Sequence, residues 1–234
     1  MAQPQSKTVI VTGAGSGVGR AASVLLTQAG YNVVLAGRTK AKLDETAAQL
    51  TGPHHVLPVD LCDPHATRAL VKQTLDRFGR IDALANVAGY APLAPIEQTT
   101  PELWQRVIDS NLSYVVNLTA AAWPVLREQR CGVIVNISSM SSVDPFPGLA
   151  LYAAAKIGLN MFTLCTAREG ADIGVTAVAL VLGAVETPML RAIFSEEAVP
   201  RHATIAPTQV AHVIRDCITG ARSFAPGQTI TISA

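Results

Sequence analysis

Short apolar runs alternate with longer amphipathic segments along almost the whole chain. The runs at Thr8–Thr12 and Asn32–Ala36 are continuously apolar at their centres, which is typical of strands buried on both faces of a sheet. Strands that alternate with helices predict a parallel sheet covered by helices on both sides. We therefore expect an α/β fold, a doubly wound (Rossmann-type) parallel sheet, formed by a single domain over residues 1–234.

The same patterns give bounds for the individual elements. The predicted strands are Thr8–Thr12, Asn32–Ala36, His55–Val59, Ile81–Asn86, Val133–Ile137, Val175–Leu182 and Gln228–Ile232. The predicted helices are Arg20–Ala29, Lys40–Leu50, Pro64–Phe78, Pro101–Gln129, Leu151–Arg168 and Pro207–Thr219. The segment Thr187–Ala206 lacks a strong helical period, which favours a mobile lid over a pocket.

Composition narrows the class of protein further. Hydrophobic residues make up 49% of the chain and the formal net charge is +1, so nothing indicates binding to nucleic acid or to an anionic membrane. The four cysteines form no CxxC pair and no metal-ligand cluster. We expect them to be buried, reduced side chains, and we predict no metal site.

Neither a signal peptide nor a membrane span is predicted. The N-terminal segment Met1–Lys7 is polar, and the longest apolar run, Ala177–Val185, is far shorter than the roughly 20 residues that cross a bilayer. These features predict a soluble cytoplasmic protein.

A glycine-rich turn follows the first predicted strand directly. Its sequence is Thr12-Gly-Ala-Gly-Ser-Gly-Val-Gly19, and a predicted helix comes next. In doubly wound sheets this turn receives a pyrophosphate at the backbone N–H groups of the helix N-terminus. A tight connection without a ligand is the alternative for the turn taken alone.

Tyr152 and Lys156 lie four residues apart on one predicted helix, so their side chains share a face. A nearby ammonium favours phenolate and lowers the pKa of a tyrosine, which suits acid/base catalysis. Asn160 and Thr163 continue the polar stripe, and we expect it to face a bound ligand. Ser139 ends the predicted fifth strand, at the sheet edge where ligands bind.

Taken together, these motifs resemble the short-chain dehydrogenase/reductase family. The motifs on which the resemblance rests are TGxxxGxG at the glycine turn, Asp60 after the third strand, the NxAG turn at Asn86–Gly89, and Ser139–x12–Tyr152–x3–Lys156. Asp60 by itself would equally suit a helix cap. Asn111, which matches a fourth catalytic residue of the family, would by itself be a helix residue facing water.

The resemblance implies an oxidoreductase that moves hydride between NAD(P) and a ketone or secondary alcohol. Tyr152 would be the general acid/base, Lys156 would bind the cofactor ribose, Ser139 would orient the substrate oxygen and Asn111 would hold a water. The implied cofactor-binding residues are Gly13, Ser16, Gly17, Val18, Gly19, Arg38, Asp60, Leu61, Asn86, Ala88, Gly89, Tyr152, Lys156, Val185 and Thr187.

Two positions refine this expectation. Relatives that prefer NAD usually carry an acid where Gly37 stands, whereas Arg38 can pair with a 2′-phosphate, so we expect NADP rather than NAD. The family usually has Pro-Gly after the sixth strand, but this chain has Leu182-Gly183, which puts the geometry of the substrate loop in doubt.

Other classes of function remain to be distinguished. A serine acyl transferase is disfavoured because no G-x-S-x-G or S-x-x-K motif is present. A non-catalytic NAD(P)-sensing regulator on the same fold is the main alternative.

The partner would be a small carbonyl or alcohol substrate, whose pocket we expect to include residues from apolar loops: Tyr90, Phe146, Pro147, Met189, Leu190 and Phe194. The apolar helices over Pro101–Gln129 and Leu151–Arg168 predict a homodimer or homotetramer.

Overall fold

A computed structural model describes residues 6–233, so most of the polar N-terminal segment considered above lies outside the described range. Seven parallel strands form one sheet in the order β3-β2-β1-β4-β5-β6-β7. The strands are β1 Thr8–Thr12, β2 Asn32–Gly37, β3 His54–Pro58, β4 Ala83–Asn86, β5 Gly132–Ser139, β6 Val175–Leu182 and β7 Thr229–Ile232. The predicted doubly wound sheet is confirmed.

Helices connect successive strands and cover both faces. They are α1 Gly17–Gln28, α2 Lys40–Ala47, α3 Pro64–Phe78, α4 Pro101–Ile108, α5 Tyr114–Gln129, α6 Ala150–Gly170, α7 Pro188–Arg191 and α8 Pro207–Thr219. Single 3-10 turns lie at Ile96–Gln98, Met140–Ser142, Ala171–Ile173 and Arg201–Ala203.

Alternate side chains of each central strand feed two separate apolar layers. Val9 and Val11 of β1 pack in the layer under α1 and α8, whereas Ile10 packs in the layer under α3, α5 and α6. All three side chains are fully buried. Burial on both faces explains why the strands appear in the sequence as continuous apolar runs.

The strand order reverses beside β1, because β2 pairs with one of its edges and β4 with the other. The connections after β1 and β4 therefore leave the sheet toward opposite faces, and a crevice opens between them at the carboxyl ends of the strands. The glycine turn and the NxAG turn both lie at this crevice.

The long helix predicted over Pro101–Gln129 is in fact interrupted. A π-helical segment at Asp109–Ser113 separates α4 from α5. The chain stays helical through this segment and no glycine or proline marks it, so the sequence pattern does not reveal it. The segment contains Asn111.

Burial of the cysteines was predicted wrongly for three of the four. Cys62, Cys131 and Cys165 are exposed and only Cys217 is buried, although all four are free thiols. Cys131 lies in the turn before β5, and Cys165 lies on an exposed face of α6. The residues that flank each cysteine in the sequence do not distinguish an exposed position from a buried one.

Helix α6 with its 3-10 extension, Ala150–Ile173, is long and apolar enough to cross a membrane by length and composition alone. A core helix of a soluble protein passes the same test, and α6 packs along β5 and β6. Its apolar residues therefore have a partner in the sheet on at least one face.

Candidate active site

The glycine turn brings three stretches of backbone into close contact. Gly13 has φ +65°, and a Cβ there would lie 3.0 Å from the Ala88 backbone of the NxAG turn. At Gly19 a Cβ would lie 2.3 Å from the Gly13 carbonyl oxygen. Only glycine allows these approaches, and the result is a shallow backbone cradle at the start of α1, whose first N–H groups have no helical partner. Such a cradle suits a phosphate group.

The loop after β6 closes the cradle from the other side. Gly17 has φ +50°, and a Cβ there would lie 3.0 Å from the Thr187 methyl group. The Thr187 hydroxyl accepts a hydrogen bond from the Leu190 N–H at 3.2 Å and caps α7, and it can also donate to the Val185 carbonyl at 3.2 Å. Thr187 therefore fixes the loop directly opposite the glycine turn.

Arg38 and Asp60 mark the far end of the crevice, after β2 and β3. The Asp60 carboxylate accepts from the Cys62 N–H at 3.1 Å, whereas the cap of α3 is Asp63, which accepts from the His65 N–H. The alternative interpretation of Asp60 as the helix cap is therefore wrong. The Arg38 side chain is exposed and has no ion-pair partner among residues 6–233.

A cleft of about 660 Å³ runs along the carboxyl edge of the sheet. It brings together most of the predicted site residues: Gly13, Ser16, Gly17, Val18, Gly19, Arg38, Asp60, Leu61, Ala88, Gly89, Ser139, Tyr152, Lys156, Val185 and Thr187. Five of the six residues predicted for the substrate pocket line it too, namely Tyr90, Phe146, Met189, Leu190 and Phe194. Asn86, Asn111 and Pro147 are outside its lining.

Asn86 belongs to a buried hydrogen-bond chain instead. Its Nδ2 donates to Asn136 Oδ1 at 2.8 Å, and Asn136 Nδ2 donates to the Thr163 hydroxyl at 2.8 Å. The Thr163 hydroxyl in turn donates to the Leu159 carbonyl at 2.7 Å. The chain crosses from β4 through β5 to α6, and the Asn86 side-chain oxygen is left without a hydrogen-bond partner among the described residues.

The expectation that Asn160 and Thr163 face a ligand is wrong. The Thr163 hydroxyl is fully buried and hydrogen-bonded within the protein. Asn160 donates from Nδ2 to the Ser142 hydroxyl at 2.9 Å, so it braces the 3-10 turn that follows Ser139. The polar partners that we expected a ligand to provide are thus supplied by the protein itself.

Asn111 is fully buried in the π-helical segment, which excludes the interpretation as a residue facing water. Its Nδ2 donates to the Tyr90 carbonyl at 2.7 Å and to the Val107 carbonyl at 2.8 Å. Its Oδ1 accepts from the Tyr90 N–H at 3.3 Å. Asn111 therefore holds the stretch at Tyr90 that follows the NxAG turn.

Ser139, Tyr152 and Lys156 converge where β5 ends against α6. The Lys156 side chain is 3% exposed, and its Nζ donates to the Ile137 carbonyl at 2.8 Å. The same Nζ lies 5.5 Å from the centroid of the Tyr152 ring. The Ser139 hydroxyl accepts from the Ser141 N–H at 3.1 Å. One strand end and one helical turn thus hold all three groups.

Burial governs the protonation of this cluster. It raises the pKa of the Tyr152 phenol to about 12, against a smaller opposing effect of the Ser139 hydroxyl. It also lowers the pKa of the Lys156 ammonium to about 7. The expected lowering of the Tyr152 pKa by Lys156 is therefore absent, because desolvation of the phenolate outweighs any attraction to the ammonium. The phenol is protonated at neutral pH.

Leu182, in the place of the usual proline, continues β6 without distortion. It pairs with Ser139 of β5 and with Ile232 of β7, and the N–H of the next residue, Gly183, donates to the Ile232 carbonyl at 2.9 Å. The geometry after β6 is therefore set by sheet pairing.

Sequence reasoning missed an ion pair that pins the segment Thr187–Ala206. Arg191 makes two hydrogen bonds to the Glu186 carboxylate, at 2.8 and 2.5 Å. It also donates to the carbonyls of Ser195 at 3.2 Å and Val199 at 2.8 Å. The two charges lie five positions apart, and the short helix α7, which ends at Arg191, gave no periodic signal that would have connected them.

Comparisons with known proteins agree with this geometry. The family model described as short chain dehydrogenase matches residues 7–198. A 3-oxoacyl-(acyl-carrier-protein) reductase of Thermotoga maritima is 33% identical over 97% of this chain and 96% of its own length. An acetoacetyl-CoA reductase of Paracoccus denitrificans is 36% identical over 80% of this chain and 77% of its own. The crystal structure of a single-residue variant of actinorhodin polyketide ketoreductase with NADPH superposes with a TM-score of 0.92 at 28% identity, over 100% of this chain and 98% of that one.

The buried lysine makes a testable contribution to stability. Its ordinary pKa of 10.5 falls to about 7 in the folded protein, so the unfolded chain binds the extra proton between these values. Unfolding then becomes harder as pH rises from 7 to 10.5, and the full cost of burying the ammonium is present below pH 7. We expect Lys156→Met to raise the Tm of the cofactor-free protein at about pH 6, with a gain that shrinks toward about pH 10.

Thermal unfolding across about pH 6 to 10 checks this expectation. Lys40→Met removes an exposed lysine and serves as the matched control, because its ion-pair partner, Asp44, is also exposed. A Lys156→Met protein that is no more stable than the parent at the acidic end would contradict the cost assigned to Lys156.

Proposed function

The chain belongs to the short chain dehydrogenase family, and we propose that it is an NADP-dependent reductase of ketones in which Tyr152 donates the proton. As a member of this family it is an NAD(P)-dependent oxidoreductase that acts on carbonyl or alcohol groups. The observation that carries the finer proposal is the convergence of Ser139, Tyr152 and Lys156 in the cleft that also holds the glycine turn.

The residues around the cleft fit a dinucleotide along its length. The backbone cradle at Gly13–Gly19 would hold the phosphates, Asp60 and Leu61 would contact the adenine, and Val185 and Thr187 would flank the nicotinamide. The bound coenzyme supplies a hydride to the substrate carbon. We assign Asn86 a supporting role, since its side chain is occupied by Asn136 and lies behind the cleft.

Tyr152 would protonate the carbonyl oxygen as hydride reaches the carbon, which yields a secondary alcohol. The phenol is protonated at neutral pH and can therefore act as the acid in a reduction. Ser139 would hydrogen-bond the substrate oxygen beside the phenol. Lys156 would bind the ribose hydroxyls, and a charged Lys156 would bring the Tyr152 pKa down in the complex.

Asn111 has two proposed roles. By the family resemblance, Asn111 would hold a water molecule that relays protons. Its hydrogen bonds to the Tyr90 backbone support a second role, which is to hold the stretch after the NxAG turn in place. Both would depend on the π-helical segment, because that segment turns the Asn111 amide inward.

Replacing the phenol hydroxyl should separate catalysis from binding. We expect Tyr152→Phe to lower kcat by about 10³-fold, since it removes the general acid. The dissociation constant for NADPH, measured by fluorescence titration, should change less than about twofold, because the loss affects only the reacting oxygen. Tyr31→Phe is the control, as the Tyr31 hydroxyl bonds the Ile218 carbonyl away from the cleft. Retention of about a tenth of the activity by Tyr152→Phe would reject the mechanism. A parent protein that binds NADPH but reduces no substrate would favour the non-catalytic NAD(P)-sensing regulator.

Arg38 supports the preference for NADP. It follows β2 directly, its guanidinium has no acidic partner in the described part of the chain, and Gly37 beside it carries no acid to bind a ribose 2′-hydroxyl. A free guanidinium at this place suits a 2′-phosphate.

We expect kcat/KM with NADPH to exceed that with NADH. Arg38→Gln should lower the NADPH value about 10- to 100-fold, which is the size of a charge-assisted hydrogen bond, and leave NADH almost unchanged. Lys40→Gln removes a neighbouring charge that pairs with Asp44 and is the control. A preference of the parent enzyme for NADH would overturn the assignment.

We also propose a homodimer in the cytoplasm. The outer face of α6 exposes Ile157 by 52% and Met161 by 60%, and Trp104 of α4 is exposed by 37%. On α5 the apolar residues Val115, Leu118 and Ala122 are buried in their own core, so the unpartnered face is mainly that of α6. A two-fold interface would cover it, and pairing of dimers into a tetramer stays a prediction. The four free thiols support a reducing compartment.

Light scattering at micromolar concentration tests the dimer. We expect a mass near twice the 24.5 kDa of one chain, and a shift toward the monomer in Met161→Lys because a charge would be buried at the interface. Ile96→Lys, at a residue that is 77% exposed and lies outside α4, α5 and α6, should keep the dimer. A parent protein with the mass of one chain would exclude it.

A further inference from the structure

The substrate end of the cleft has walls from two loops. Phe146 and Leu149 come from the connection between β5 and α6, and Met189, Leu190 and Phe194 come from the segment after β6. The Phe146 and Phe194 rings meet edge to face, with centroids 5.1 Å apart and planes at 83°. This contact joins the two loops across the mouth of the cleft.

The apolar wall reaches the reacting groups. A Cβ placed on Gly89 would lie 3.8 Å from Lys156 Nζ and 3.9 Å from the Met189 methyl carbon. Met189 and Lys156 thus both border Gly89 in the cleft, although 41% of the Met189 residue is exposed. Phe146 is exposed by 57%. Large apolar side chains left in contact with water beside a catalytic cluster form a binding surface for an apolar molecule.

Both loops are held in place before any substrate arrives. The first is anchored by the Gly148 carbonyl, which accepts from the Ala94 N–H at 2.8 Å. The second is held by Arg191 through Glu186 and two backbone carbonyls. Because the charges of Arg191 and Glu186 neutralise each other outside the cleft lining, neither is available to a substrate.

Charge at this end of the cleft is unfavourable to anions. The Asp144 carboxylate lines it and has no ion-pair partner among residues 6–233. Lys156 is buried against the Ile137 carbonyl. Arg106 also lines the cleft, but its guanidinium lies over the Tyr90 ring, 4.8 Å from its centroid, and it borders the recess shared with Arg38 and Asp60.

From the aromatic pair, the methionine at the catalytic lysine and the unpaired carboxylate, we infer that the substrate is an uncharged ketone with an aryl or alicyclic substituent. The inference rests on the proposed function, because it names the substrate class of the same site. The ring would lie against the exposed side of the Phe146–Phe194 pair, where aromatic faces and edges add to simple burial. Hydride at the carbonyl carbon and the Tyr152 proton at oxygen would give the secondary alcohol. An anionic acyl thioester would be repelled by the unpaired Asp144 carboxylate.

Initial rates of NADPH oxidation with four carbonyl compounds test the inference. We expect kcat/KM for acetophenone and 2-decalone, both uncharged, to exceed that for acetoacetate and acetoacetyl-CoA by about 100-fold. Phe194→Ala and Phe146→Ala should each raise KM for the two uncharged ketones about tenfold with little change in kcat, since they remove ground-state and transition-state binding equally.

Asp144→Asn tests the charge separately. It should increase kcat/KM for acetoacetate several-fold relative to kcat/KM for acetophenone, because only the anion is repelled by the carboxylate. Asp172→Asn, at an exposed position outside the cleft lining, is the control. Wild-type preference for acetoacetyl-CoA, or phenylalanine variants that handle all four compounds as the parent does, would overturn this inference and leave the proposed reductase standing. Failure to reduce any carbonyl compound with NADPH or NADH would overturn the proposed function and this inference with it.

Discussion

The hydroxyl group of Thr12 determines how the two halves of the cleft fit together. It accepts hydrogen bonds from the N–H groups of Val87 at 2.9 Å and Ala88 at 3.1 Å. The Tyr114 hydroxyl secures the same turn by donating to the Ala88 carbonyl at 2.9 Å. Where β1 and β4 stop pairing, these partly buried backbone groups would otherwise lack partners. The close packing of Gly13 against Ala88, where an added Cβ would lie only 3.0 Å from the Ala88 backbone, depends on this bonding.

A second polar connection carries the same order to α6, the helix of Tyr152 and Lys156. The chain from Asn86 through Asn136 to Thr163 links β4, β5 and α6, and buried polar chains of this kind favour a single arrangement of the elements they join. Lys156 is bonded to the Ile137 carbonyl of β5 from the same helix. The position of Tyr152 relative to the cofactor cradle is therefore fixed by hydrogen bonds to the sheet as well as by apolar packing.

Local patterns in the sequence were enough to predict the fold and most of the cleft. Each predicted strand lies within two residues of the observed one, because a strand buried on both faces has a distinct apolar signature. Fixed spacings brought Ser139, Tyr152 and Lys156 into one group, since one strand end and one helical turn hold them.

Features that depend on contacts between distant segments could not be predicted. The partners of Asn160 and Thr163 lie 18 and 27 residues away, on elements whose packing is decided only by the complete fold. The π-helical segment around Asn111 and the raised pKa of Tyr152 could not be predicted either. Both depend on how the surrounding elements bury these residues, and burial is not a property of the motif. The pairing of Glu186 with Arg191 needed the path of the loop after β6.

Helix α6 carries Tyr152 and Lys156 on the side toward β5, and Ile157 and Met161 on the side turned outward. A helix transmits a shift of one face to the other, because its backbone is a stiff rod held by its own hydrogen bonds. Substitutions on the outer face of α6 are therefore more constrained than those at ordinary surface positions. In descendants of this chain, changes at those outer positions would be accepted mainly in compensating sets, although none of these side chains touches the reacting atoms.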